Sequence, residues 1–201
     1  PAVDSARLGT FSDGVFAVAI TLLVLEIRPP EDTHDLGAEL IRLWPSYLAY
    51  LVSFLLIGLV WANHHTMFEH IEGIDRPLMF LNTLLLLDVA FIPFTAAVLA
   101  RSFHDGAGER VAVGLYGGTL AVGGLFFNAL WWWAGREHRL MGAHITPAEV
   151  QAIGRRFWRG PLLYAIATVV GIIVPLAGVG CFAFLIVYYW LPSDRPALDP
   201  P

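Results

Sequence analysis

The chain has 201 residues, 57% of them hydrophobic and only 14% charged, with a net charge of −5. So few charges cannot cover a soluble domain of this length, and the composition points to an all-α, polytopic membrane protein. Every cationic residue is an arginine and none forms a basic block, which excludes a nucleic-acid partner, while the single cysteine, Cys181, excludes an intrachain disulfide.

Bilayer spans need roughly 20 apolar residues, fewer in a tilted bundle. Six are expected, at about 8–27, 44–63, 77–100, 111–133, 162–174 and 176–191, within one domain over 1–201. The first run lacks a basic leader and a small-residue cleavage site, so it is expected to be retained. Pro29-Pro30 stops it, and a polar connection follows from Glu31 to Glu39. Trp44 and Tyr47 open the second span at an interface belt. The fourth span is glycine-rich, with Gly114 and Gly118 spaced for close helix approach, and ends at Trp131-Trp132-Trp133. Thr146-Pro147-Ala-Glu149 reads as a capped helix start, predicting a short amphipathic surface helix over about 147–158. The last apolar run is divided by Pro175, Gly178 and Gly180 into two short helices of a hairpin.

Arginine placement predicts both termini on the cytoplasmic side. Arg7, Arg76, Arg136, Arg139, Arg155, Arg156, Arg159 and Arg195 then lie inside, against Arg28, Arg42, Arg101 and Arg110 outside.

The first span carries the most information. At about 100° per residue, Phe11, Val15, Val18, Leu22 and Leu25 form one apolar stripe, while Asp13, Ala17, Ile20 and Val24 fall opposite and Thr21 flanks the stripe. An ionisable group inside a membrane helix costs several kcal/mol and calls for a partner. Asp13 lies about 8 Å inside the cytoplasmic end of its span, Asn82 at the same depth in the third, and His64 at the end of the second. A buried network of Ser12, Asp13, His64 and Asn82 is therefore expected, orienting the first helix. Glu26 ends the span as either a cation-attracting ring or a solvated terminus.

These residues together resemble the transmembrane protein 175 family of potassium channels, found in endolysosomes and in bacteria. The signature of its first helix, an Arg, three residues, Phe-Ser-Asp and a later Thr, reads here as Arg7, Phe11-Ser12-Asp13 and Thr21. Trp61, His64 and Phe68 match in the second span, as do Asn82 and Pro93-Phe94-Thr95 in the third. The resemblance implies a homotetramer in a bacterial plasma membrane, passing potassium ions through a pore lined by the first helix, with no cofactor. It implies a constriction of apolar side chains at Val18, Leu22 and Leu25, with Thr21 beside them, and places Arg7 in the polar network and Glu26 at the outer mouth. Such rings act by dewetting and partial dehydration of the ion. Val18 stands where other members often carry a larger Ile or Leu.

The competing reading is a proton- or metal-coupled transporter using Asp13, His64 and Asp88 within the bundle. Asp88, near mid-membrane in the third span, is either protonated and bonded to Asn128 or a backbone carbonyl, or marks a second polar site. In the cluster His64-His65-xxx-Glu69-His70, His65 and Glu69 lie one helical turn apart, which suits a metal, but the motif is not His-Glu-xx-His. No nucleophile triad, phosphate loop or dinucleotide fingerprint occurs, so an enzyme is not expected.

Overall fold

The structure is a computed structural model and describes residues 5–30 and 34–191. Part of the acidic connection (Glu31, Asp32, Thr33) and Arg195 lie outside the described residues. The described chain is all-helical: α1 (Ser5–Leu22), α2 (Leu36–Arg42), α3 (Trp44–Glu69), α4 (Arg76–Asp105), α5 (Glu109–Gly135), α6 (Pro147–Phe157), α7 (Arg159–Ile173) and α8 (Pro175–Trp190). Five stretches are long and apolar enough to cross a bilayer: Ser5–Glu26, Trp44–Glu69, Arg76–Asp105, Glu109–His138 and Pro147–Ile173. Helix α8 is apolar throughout but has 16 residues.

The helix boundaries follow from capping chemistry. Asp75 accepts from the Leu78 amide at 2.9 Å and Pro77 fills the first turn of α4, where its missing N–H costs nothing. At α6, Thr146 and Glu149 form the reciprocal capping box expected from their spacing. Between α7 and α8, Val174 is extended and Pro175 restarts the helix. Gly171 and Gly178 allow this hairpin to close, since a Cβ on Gly178 would collide with the Gly171 backbone.

The helices overrun several of the expected spans. Helix α3 continues six residues past Asn63 to Glu69, and α4 runs on to Asp105. Apolar runs mark only the lipid-embedded part, and the backbone goes on hydrogen-bonding into the interface. The connection expected to be polar contains α2, capped by Asp35, and α1 ends in a 3-10 turn, Leu23–Glu26. Helices α5 and α7 approach most closely at Gly117, against Thr168, and at Gly124, against Pro161, rather than at the Gly114/Gly118 pair.

Helix α1 packs on α3 and α4, α4 on α5, and α5 on α7. At the end bearing Arg76, Arg136 and Arg139, a single β-bridge joins Ile71 to Met141. There Asp75 also accepts from the Trp133 indole at 3.1 Å and from the Arg139 guanidinium at 2.9 Å, while Trp131 turns inward and donates to the Val150 carbonyl at 3.0 Å. His70 Nδ1 and His144 Nε2 lie 3.1 Å apart in the same cluster.

Candidate functional site

Helix α1 has three faces rather than two. Its packed face is Leu8, Ser12, Phe16, Ala19 and, in the following turn, Leu23, lying between the apolar stripe and the Asp13 face. Asp13, expected to anchor the helix, is exposed, as are Ala17 and Val24 on the same face, and Ile20 is half-buried. Periodicity cannot find the packed face in a helix that is apolar nearly all round, because the contrast it detects is small there.

Ser12 sits on the packed face and organises the polar contacts. His64 Nε2 donates to Asn82 Oδ1 at 2.8 Å, Asn82 Nδ2 donates to Ser12 Oγ at 2.9 Å, and Ser12 donates to the Leu8 carbonyl at 2.9 Å. The Leu8 carbonyl can only accept, so it sets the direction of the whole chain and the orientation of the Asn82 amide. All three side chains are buried. The His64 ring is clamped between Phe68, stacked at 4.5 Å, and Phe16, tilted at 5.3 Å. Burial makes such a network costly to break.

Asp13 is not part of it. One residue on from Ser12 it is turned by about 100°, and its carboxylate accepts from the Trp61 indole at 2.9 Å. Arg7 is also outside: it is exposed and has no hydrogen bond or ion pair among the described residues. The expected network is therefore brought together at Ser12, His64 and Asn82, and not at Asp13 or Arg7. The Trp61 partner was missed, although Trp61 and His64, three residues apart on α3, face α1 together.

Of the apolar stripe, Val15 is half-buried against the core, while the other four residues are uncovered inside the subunit. Phe11, Val18, Leu22 and Leu25 are 60%, 58%, 42% and 71% exposed. The Thr21 hydroxyl donates back to its own helix, with the Ala17 and Val18 carbonyls at 3.0 and 2.8 Å, leaving its oxygen free to accept. Glu26 is exposed at the end of the 3-10 turn.

Asp88 lies on another face of α4, and Asn128 does not serve it: the Asn128 amide donates to the carbonyls of Gly124 and Phe157 at 2.7 and 3.2 Å. No three His, Cys, Asp or Glu side chains among the described residues converge on a metal-sized site. His65 stands 3.7 Å from Glu69 at the surface, while His64 is turned into the bundle.

Comparison with known proteins agrees with this geometry. The chain matches the family described as endosomal/lysosomal potassium channel TMEM175 over residues 7–93, which includes Ser12, Asp13, Trp61, His64 and Asn82. A potassium channel of Streptomyces collinus is 38% identical over 192 residues, covering 92% of this chain and 91% of that one. A potassium channel of Chamaesiphon minutus is 40% identical over 196 residues, covering 95% and 96%. The crystal structure of a lysosomal potassium-selective channel TMEM175 homolog from Chamaesiphon minutus matches with a TM-score of 0.82 at 39% identity, over 92% of this chain and 95% of that one. With near-full-length relatives at this identity and the same helical fold, the chain belongs to the TMEM175 family.

Proposed function

We propose that the chain is one subunit of a homotetrameric potassium channel in a bacterial plasma membrane, with four copies of α1 around a central pore. The six spans are α1, α3, α4, α5, α7 and α8, and both termini are cytoplasmic. The observation that carries this reading is the uncovered face of α1. Arg7, Phe11, Gly14, Val18, Thr21 and Leu25 recur in alternating steps of four and three residues and are all exposed in the subunit. That spacing is the seam along which helices meet helices. A seam that is apolar at Phe11, Val18 and Leu25, turned away from the core and anchored behind by the Ser12–Asn82–His64 chain, suits a narrow axis shared by several copies.

On that axis Val18, Leu22 and Leu25 form the constriction, Thr21 offers an oxygen beside it, and Glu26 draws cations to the outer mouth. Branched side chains cannot replace a hydration shell with ligands, so they pass the cation that sheds water more cheaply, potassium before sodium. The transporter reading finds little support: Asp13 bonds Trp61, His64 bonds Asn82, and Asp88 lies apart from both, so the three share no coupling site.

The test is potassium-driven flux into liposomes holding the purified protein, run beside sodium and beside Leu22→Asn and Leu25→Asn. Fast potassium flux, slower sodium flux and a loss of discrimination in either variant are expected. Flux that needs a proton gradient, or variants that match wild type, would overturn the constriction.

A further inference from the structure

A cavity of about 410 Å³ opens inside the subunit, walled by α3, α4, α5, the junction of α6 with α7, and Tyr189 of α8; α1 contributes none of its described lining. The volume is that of small-molecule sites. Asp88 projects into it from the middle of the 30-residue α4. A carboxylate at that depth is expected to have a partner, yet Asp88 has no hydrogen bond or ion pair among the described residues. Its place is kept open by Gly123, where a Cβ would collide with Asp88 Oδ2. Tyr164 forms another part of the wall, and its hydroxyl is buried without a hydrogen-bond partner.

The remaining walls choose among ligands. Phe127 and Trp131 each meet Phe157 edge to face, with centroids 5.0 and 5.5 Å apart, and all three line the cavity. Aromatic rings attract cations, most strongly where water is excluded. An inorganic cation needs a shell of oxygens; Asp88 is the one carboxylate of the lining, and its neutral polar side chains, Asn63, Thr66 and Asn128, are far outnumbered by apolar ones. The other titratable lining groups are His70, Tyr164, Tyr189 and Arg156, and Arg156 is exposed, where solvent screens its charge.

We infer that each subunit carries a binding site for a hydrophobic organic amine, with Asp88 as its counter-ion and the Phe127–Trp131–Phe157 cluster around its apolar body. The site is separate from the proposed pore face, and its occupancy can be measured without any ion flux.

The test titrates the intact protein in lipid nanodiscs with 1-naphthylmethylammonium by calorimetry, subtracting empty nanodiscs. Neutral 1-naphthylmethanol and anionic 1-naphthylacetate are the controls. Saturable binding of one amine per chain is expected, weakened about tenfold or more by the near-isosteric Asp88→Asn and unchanged by Leu22→Asn. Gly123→Ala, which displaces the carboxylate, is expected to weaken it too, with all variants checked for native elution and helical content. Four results would each overturn the site: no saturable binding beyond empty nanodiscs, equal binding of the alcohol, preference for naphthylacetate, or indifference to Asp88→Asn. Sensitivity to Leu22→Asn alone would place the amine on the pore axis instead and overturn it equally.

Discussion

Helix α4 carries two polar side chains into the bilayer, Asn82 and Asp88, and their surroundings differ. Asn82 is fully buried and holds bonds to two other helices, receiving from His64 and donating to Ser12. Asp88, six residues on, faces a cavity and bonds to nothing described. A neutral amide with both ends satisfied ties helices together. An ionisable group without a partner does the reverse, since it costs energy in the folded subunit until something binds it.

The comparison breaks most visibly at Asn82. Replacing it with Ala strands the His64 N–H and one lone pair of Ser12 in a dry interface, and stability is expected to fall by about 2–4 kcal/mol. Unfolding in mixed micelles measures it; a loss under about 1 kcal/mol would mean that the aromatic clamp on His64, not the hydrogen bonds, holds α1. Asp88→Asn should move stability the other way, with a gain of about 1–2 kcal/mol as an unpaired charge leaves the bilayer. A loss in the same assay would reveal a structural partner and close the contrast.

Asp13→Asn should matter less, by under about 1 kcal/mol, because the residue is exposed in the subunit and an amide oxygen still accepts from Trp61. A double-mutant cycle with Trp61→Phe isolates the pair, and coupling above about 2 kcal/mol would put Asp13 into the latch after all.

The smallest effect is expected at the end bearing Arg76, Arg136 and Arg139. Burial, and then neighbouring His144, hold His70 below its ordinary value of 6.5. Its folded form therefore prefers to be neutral, so its contribution is fully present above that value and is lost as pH falls through the lowered one. Stability of wild type against His70→Gln on acidification reads this out, and parallel pH profiles would remove His70 from the account.

Much of the latch could be read from depth alone. Residues equally far from one membrane face on neighbouring spans must meet if the helices pack, so the depths of Ser12, His64 and Asn82 are enough to predict their contact. Asp13 defeated the same reasoning because it shares that depth but not the direction: rotation about a helix axis leaves depth unchanged. The cavity had no sequence signal beyond Asp88 itself, since its walls come from six helices and its space depends on Gly123, one glycine among the 19 of the chain.

By itself the sequence determined the all-helical membrane class, the helix cap at Thr146 and the family, because hydropathy, capping and short motifs are local properties of the chain. Only the tertiary structure decided which face of α1 is packed, that Trp61 rather than His64 donates to Asp13, and that Asp88 opens into a cavity. Those outcomes depend on helix rotation and on space left between helices, and both are set by side chains distant in the chain.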